Sequence, residues 1–403
     1  MNVNTMRAID RYAGTPLCFV ATIFSKLFCR HKKEEKPKNI LFIELSEMGS
    51  AILADPAMRK AQREYDANLF FVIFKKNKPS LDLLNTIPDE NIFTIRPEGI
   101  HLITDTVHFL LWTRKKRIDT VIDIELFSRF TALLTGLSGA NHKVGYYRYY
   151  GEGLYRGEML THRITYNPHM HISKNFIAMV NSLSEDSDGK PYSKTLVDDS
   201  ETVLTKAVIT DDAKETMRKR IDEVAPEGWR ANTPRIVLVN PNASDLLPQR
   251  RWPKEMFIEF IKLMLARYPD IIILLTGARS ESPLAATICT ATANERCVNF
   301  TGKGTLKEML SLYAISEVML TNDSGPGHFS AVTDLHSVVL FGPETPALYG
   351  SLGNTTPLFS GLSCSPCVSA ANHRKTTCVD NVCLKRITPE SVAVVVSGVL
   401  DRS

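Results

Sequence analysis

Thr321-Asn322-Asp323-Ser324-Gly325-Pro326-Gly327-His328 sets a carboxylate, hydroxyls, two glycines and an imidazole directly after the apolar run Val318-Met319-Leu320. The run reads as a buried strand, and Phe329 to Val332 as the helix that follows. A strand that turns at Asp-Ser-Gly into a helix presents unpaired backbone N–H groups, which suit a phosphate or another anion. Gly325 and Gly327 let the backbone approach a ligand, and Pro326 fits a first helical turn. A second strand, Ser337 to Phe341, ends in Gly342-Pro343-Glu344-Thr345-Pro346. Two such neighbouring loops place a ligand at the carboxyl edge of a parallel sheet.

Four of the eight cysteines form a second constellation, Cys364-x2-Cys367-x10-Cys378-x4-Cys383, with His373 inside it. Four thiolates at this spacing suit a tetrahedral structural zinc, which would pin a loop and take no part in catalysis. Unligated thiols are the alternative. Iron–sulfur ligation fits the spacing less well, and disulfides would require an oxidising compartment. Asp123-Ile124-Glu125 has the outline of an Asp-x-Asp metal site, but it follows a strand of the N-terminal half, away from the anion-binding loops.

The elements that must position these residues alternate strand and helix. Apolar strands are expected at Asn39–Leu45, Leu69–Phe74, Ile92–Ile95, Thr120–Ile124 and Lys143–Gly145. Helical spacing lies between them at Ala51–Glu64, Leu102–Trp112 and up to Leu137. A polar stretch from Ser182 to Ser200 interrupts the pattern. It restarts at Arg235–Val239, with a helix at Lys254–Arg267, a strand at Ile271–Thr276 and a last helix at Thr388–Leu400. The expectation is α/β, with two doubly wound parallel domains at 39–200 and 201–403.

Residues 1–38 are set apart. From Thr15-Pro16 onward, Leu17, Val20, Ile23, Phe24, Leu27 and Phe28 recur at helical spacing, and Arg7, Arg11, Lys26, Arg30, Lys32 and Lys33 flank them. The segment 7–33 is expected to be an amphipathic helix lying in a membrane interface against anionic head groups, with Glu34–Lys38 as a charged linker. No small-x-small cleavage pattern follows Phe28, and no apolar run is long enough to span a bilayer. The 403 residues carry a net charge of +4, with 44% hydrophobic and 23% charged residues, an ordinary globular balance. No basic stripe interleaved with aromatics points to nucleic acid.

Five blocks in order resemble the ADP-heptose:lipopolysaccharide heptosyltransferase family, glycosyltransferase family nine. They are Leu45-Ser46-Glu47-Met48-Gly49, Asn240-Pro241-Asn242-Ala243-Ser244 with Arg250-Arg251-Trp252-Pro253, Thr301-Gly302-Lys303 with Leu306, Asp323-Ser324-Gly325-x2-His328, and Leu340-Phe341-Gly342-Pro343. The resemblance implies a GT-B fold, two Rossmann-like domains facing across a cleft. It also implies inverting, metal-independent sugar transfer in cell-envelope glycan assembly, with no cofactor for catalysis. The donor would be a nucleotide-sugar, an ADP-sugar being favoured. The acceptor would be a lipid-linked glycan such as a lipopolysaccharide core, and the location cytoplasmic, peripheral on the inner face of the cell membrane.

Carried onto this chain, the donor site would comprise Asn242, Ser244, Arg250, Glu281, Lys303, Asp323, Ser324, Gly325 and His328. Arg250 stands where the family usually has Lys and would bind phosphate oxygens through its planar fork. Glu281 would accept hydrogen bonds from a ribose diol. The family's catalytic Asp after Met-Gly is here Ser50, a poor base at neutral pH. Glu47 in the same loop is the favoured base and Asp55 the second choice. That substitution leaves two alternatives on the same fold: a nucleotide-sugar or glycan binding protein without transfer, and a nucleotide-sugar epimerase.

Overall fold

The structure, a computed structural model, describes residues 3–28, 36–126, 128–151, 153–184, 193–227, 235–369, 372 and 374–402. Cys29 to Glu35, residues 185–192 of the polar stretch, and His373 lie outside the described residues. The chain divides into two compact units, Met1–Val203 with Ala370–His373, and Leu204–Ser369 with Arg374–Ser403.

The first unit is a six-stranded parallel sheet: β1 (Asn39–Ile43), β2 (Asn68–Phe74), β3 (Ile92–Ile95), β4 (Thr120–Asp123), β5 (His142–Tyr146) and β6 (His162–Ile164). Its order is β3-β2-β1-β4-β5-β6. Ile40 to Ile43 of β1 are fully buried, because helices cover both faces of a parallel sheet. These are α1 (Val3–Tyr12), α2 (Gly14–Phe28), α3 (Met48–Leu53), α4 (Asp55–Tyr65), α5 (Gly99–Lys115), α6 (Arg129–Leu137) and α7 (Ile172–Asn181). Phe109 of α5 and Leu134 of α6 pack with Leu41, Ile43 and Val72. The helix expected at Ala51–Glu64 is two, because Pro56 in the first turn of α4 has no N–H with which to continue α3.

The N-terminal segment is likewise two helices. Arg7 and Arg11 belong to α1, and Thr15 lies inside α2, where its hydroxyl donates to Arg11 O at 2.7 Å instead of capping. Cys18 and Ala21 of α2 pack on Ala132 and Met159. Leu17, Phe19, Val20, Ile23, Phe24 and Leu27 point outward, 45 to 71% exposed.

The second unit repeats the topology with β7 (Arg235–Asn240), β8 (Ile271–Leu275), β9 (Cys297–Asn299), β10 (Val318–Asn322), β11 (His336–Phe341) and β12 (Thr355–Phe359), ordered β12-β11-β10-β7-β8-β9. Its helices are α8 (Asp211–Asp222), α9 (Lys254–Arg267), α10 (Ser282–Thr292), α11 (Leu306–Ala314), α12 (Gly325–Phe329), α13 (Pro346–Tyr349), α14 (Val382–Lys385) and α15 (Pro389–Leu400). Phe257, Phe260 and Met264 of α9, with Val392 and Val396 of α15, bury one face of β7, β8, β10 and β11.

Candidate functional site

In both sheets the strand order reverses at the first strand of the unit, between β1 and β4 and between β7 and β10. Loops leaving two such neighbours diverge, and the crevice beside their carboxyl ends receives ligands. The polar residues singled out from sequence fall mostly on these loops.

In the second unit one buried amide organises the edge. Asn322, the last residue of β10, accepts from Trp252 N at 2.9 Å and donates to Pro241 O at 3.0 Å and Asn242 O at 3.3 Å. The Trp252 indole donates to Ile387 O at 2.9 Å and meets Phe257 edge-on at 4.8 Å between ring centroids. Arg250, two residues before Trp252, is therefore held at the mouth of the loop. Its Nη1 stands 3.7 Å from Asp323 Oδ2, too far for a good hydrogen bond, and its buried Nε has no partner among the described residues. A guanidinium with unspent donors beside a buried carboxylate is poised for an anion that satisfies both its fork and its charge.

Around this pair, Ser324 is half-buried and its hydroxyl donates to Asn322 O at 3.1 Å. The helix after it is shorter than the sequence reading foresaw. Pro326 brings no N–H, Gly327 N donates to Ser324 O at 3.2 Å, and α12 ends at Phe329. The row of free amides at this helix start is thus reduced. Gly325 is required here, since a Cβ would lie 2.8 Å from the Phe329 ring. His328 lies one turn on, half-buried.

Asn242 and Ser244 shape the loop after β7. Asn242 is buried and donates to Thr276 O at 3.3 Å, and Ser244 Oγ accepts from Leu246 N at 3.2 Å. Glu281 spends one oxygen on Ala278 N at 2.6 Å. Burial pushes its pKa up, and the Ala278 amide pulls it back. Lys303 is exposed, and its carbonyl accepts from Arg220 Nη1 at 2.8 Å. The structure brings Arg250, Asp323 and Ser324 together, and places Glu281 and Lys303 on the neighbouring β8 and β9 loops, joined through Gly302 N to Gly277 O at 2.9 Å.

Replacing Asn322 by Ala leaves a buried N–H and two carbonyls unpaired. At about 1–3 kcal/mol for each such group, partly relieved by relaxation, the variant is expected to lose about 3 kcal/mol in urea denaturation. A loss below about 1 kcal/mol would mean that the three loops are held by other contacts.

The cysteine segment is tethered by backbone hydrogen bonds. Cys367 N and Val368 N donate to Pro343 O at 2.9 and 3.1 Å, and Asn381 Nδ2 donates to Gln249 O and Arg251 O at 3.1 and 2.8 Å. The segment thus straps the Gly342-Pro343 turn and the Arg250 loop. Cys364, Cys367 and Cys378 lie near enough to Cys383 to help burial raise its pKa. Yet Cys378 Sγ donates to Asp380 O at 3.0 Å, Cys364 is exposed and Cys383 is buried. Among the described residues no three Cys, His, Asp or Glu side chains gather as a metal ion requires. Hydrogen bonds to the backbone of Pro343, Gln249 and Arg251 pin this segment.

In the first unit the switch point is acidic. Glu44 directly follows β1 and is buried. Its Oε1 accepts from Ser46 N at 3.0 Å and Glu47 N at 3.1 Å, so it holds the start of α3. Glu125 follows β4, is buried beside Glu44 and accepts from Leu45 N at 3.3 Å. Burial, then repulsion by Glu125 and a hydrogen bond to it, push Glu44 well above the usual carboxylate range, and burial raises Glu125 as well. Asp123 is raised to about 6 by burial, against the pull of the Arg156 guanidinium that it contacts.

Glu47 sits at the N-cap position of α3 without capping it, and Ser50 Oγ donates to its Oε2 at 3.2 Å. Ser50 is thus a support for Glu47 and not a base of its own. Asp55, the second choice for the base, is corrected: it is fully buried and neutralised by Arg59 Nε at 2.8 Å and by the Thr86 hydroxyl. Glu44 was hidden in the sequence because it lies in the apolar run Leu41 to Leu45. A carboxylate in such a run is costly, and that cost was the available signal.

Glu44→Gln keeps the acceptor for Ser46 and Glu47 and removes the like-charge contact. A raised folded-state pKa contributes stability at low pH that is lost as pH rises through it. The Gln variant is therefore expected to melt about 2–4 °C higher than the parent at pH 8 and to match it at pH 4. Equal melting at pH 8 would place Glu44 outside this coupling.

Comparison with known proteins follows the same geometry. The chain is 29% identical over 179 residues to lipooligosaccharide heptosyltransferase 2 of Campylobacter jejuni, covering 43% of this chain and 53% of that protein. It is 29% identical over 102 residues to lipopolysaccharide heptosyltransferase 2 of Salmonella typhimurium, covering 25% of this chain and 29% of that protein. The chain thus spans about half the length, or less, of these relatives. The structure of Escherichia coli ADP-heptose lps heptosyltransferase II superposes with a TM-score of 0.69 at 18% identity, covering 90% of this chain and 99% of that one, which shows the shared fold. The sequence profile of glycosyltransferase family 9 (heptosyltransferase) matches residues 114–377, and the chain belongs to that family.

Proposed function

We propose that the protein transfers a heptose-like sugar, with inversion, from an ADP-sugar to a lipid-linked glycan acceptor of the cell envelope, a lipopolysaccharide core being the favoured class. The observation that carries this reading is Arg250, held by the Asn322 hub with donors unspent beside Asp323 at the switch point of the second sheet. Arg250 and Ser324 take the donor diphosphate, and Asp323 orients the sugar hydroxyls. The acceptor hydroxyl oxygen attacks the anomeric carbon and its proton passes to Glu47, which Ser50 orients. The bond from the anomeric carbon to the diphosphate oxygen breaks, and ADP leaves with its charge on Arg250.

Attachment to the membrane is part of the proposal. No helix among the described residues is long and apolar enough to cross a bilayer. The outward apolar side chains of α2, with Arg7, Arg11 and Lys26 beside them, suit a helix pair resting on an anionic bilayer surface.

The test is thermal shift of the purified protein with ADP, GDP, UDP, CDP and dTDP, then transfer from ADP-heptose to a lipid A–core acceptor without added divalent ion. A nucleotide at one hundred times its Kd stabilises by roughly 2.7 kcal/mol. Selective stabilisation by ADP together with product supports the reading. Stabilisation by another nucleotide replaces the donor. Sugar-nucleotide consumption without acceptor would instead favour epimerisation.

A further inference from the structure

Cys289 and Cys297 take no part in the chemistry described so far, yet they meet where the last turn of α10 approaches the start of β9. Cys297 Sγ donates to Cys289 Sγ at 3.6 Å, with the two residues 8 apart in the chain. Local hydrogen bonds close the turn between them. Ala293 N donates to Cys289 O at 3.2 Å, and Cys297 N donates to Asn294 O at 3.0 Å. The pair is unequal: Cys297 is buried, whereas Cys289 is partly exposed. The hydrogen bond from Cys297 lowers the Cys289 pKa, and the same bond, with burial, raises that of Cys297. An accessible thiolate beside a shielded thiol separates the roles of attacking and resolving sulfur.

Both cysteines sit on elements that carry donor-side loops. Helix α10 starts directly after Glu281, and β9 runs through Phe300 into Gly302 and Lys303. Asn299, in the same short strand as Cys297, couples the two elements. Its Nδ2 donates to Ser282 Oγ at 3.0 Å, and its Oδ1 accepts from Thr301 N at 3.1 Å and Thr301 Oγ1 at 2.6 Å. Gly302 has little slack, since a Cβ there would lie 2.9 Å from Arg279 Cα. Strand β9 is at the edge of its sheet with β8 as its neighbour, so it is the freer of the two elements. A disulfide needs its sulfur atoms at about 2.05 Å. Forming one here draws β9 toward α10 and displaces the Thr301–Lys303 loop.

We propose that Cys289 and Cys297 form a peroxide-sensitive modification site, oxidised to a disulfide that ties β9 to α10 and weakens nucleotide binding at the adjoining loops. The Cys289 thiolate attacks one oxygen of hydrogen peroxide and the O–O bond breaks. Cys289 becomes a sulfenic acid, and the departing hydroxide is protonated to water. The Cys297 sulfur then attacks the Cys289 sulfur and the S–O bond breaks. The sulfenic hydroxyl leaves as water with the Cys297 proton. Two electrons pass from the two sulfurs to peroxide, which ends as two waters. The effect on nucleotide rests on the reading of the second unit as the donor side, whereas formation of the disulfide does not.

The test treats the reduced full chain with hydrogen peroxide, alkylates the remaining thiols and maps the peptides by mass spectrometry. Trypsin cuts after Arg279 and Arg296, which puts the two cysteines on separate peptides. A linked pair that dithiothreitol separates is expected, and Cys297→Ser should trap a sulfenic acid on Cys289 that reacts with dimedone. The Kd for ADP is expected to rise about ten-fold in the oxidised parent, an ordinary coupling between linked sites, and to stay unchanged in peroxide-treated Cys289→Ser. Absence of the linked pair from the parent overturns the site. A linked pair with an unchanged Kd, or an equal rise in Cys289→Ser, overturns the effect on nucleotide. A linked pair in a chain that binds no ADP even when reduced keeps the modification site and removes the donor reading.

Discussion

Glu47→Gln is expected to lower kcat by about 10²- to 10⁴-fold, the range for loss of a positioned general base, while leaving the ADP thermal shift and the donor KM intact. The carboxylate sits at the end of a strand, at the start of a helix whose first amides are already held by Glu44, so its side chain is not consumed by capping. Gln keeps the size and the acceptor for Ser50 Oγ but cannot take a proton. Ser50→Ala should be milder, since it removes one hydrogen bond at 3.2 Å and leaves the base in place. The acid limb of the kcat profile should vanish in Glu47→Gln and persist in Ser50→Ala. Unchanged kcat in Glu47→Gln would move the base to the buried pair Glu44 and Glu125.

Arg250→Ala should act on the other substrate. The guanidinium is expected to contribute through charge-assisted hydrogen bonds to the departing diphosphate, so its loss lowers kcat/KM by about 10²- to 10³-fold and removes most of the ADP thermal shift. Arg250→Lys keeps the charge and loses the fork, and should recover part of kcat but little of the ADP affinity. The fold should tolerate both changes. Arg250 has an unpaired Nε and only a loose contact with Asp323, whereas the neighbouring Trp252 carries the packing. ADP stabilisation that survives in Arg250→Ala would assign the diphosphate to another group.

Patterning in the chain alone determined most of the architecture. Runs such as Leu69–Phe74 and Ile271–Leu275 are apolar without alternation, because a parallel sheet buries both faces, and the helical stretches between them left little but a doubly wound fold. The short edge strands β6 and β12 were not legible, since His162-Arg163-Ile164 is three residues long and β12 contains Pro357, which only an edge position tolerates. The Gly-rich turn also marked Asp323 and Ser324 as chemically interesting, because it is a local feature, whereas Arg250 and Glu47 were marked by the resemblance to the family.

What tertiary structure alone decided was which of these groups are spent. Asp55 and Glu47 are eight residues apart and alike in type, yet Asp55 is fully buried and bonded to Arg59 and Thr86, while Glu47 lies at the start of α3 and accepts from Ser50. The fold also ties the cysteine segment as a hydrogen-bonded strap across Pro343 and Gln249, which its spacing did not announce. Glu44 meets Glu125 across 81 residues of chain, and Asn322 joins loops 70 and 81 residues away. Burial and long-range pairing set the charge state of such groups, and neither has a signature in local residue order, because both depend on which distant strand ends the sheet brings side by side.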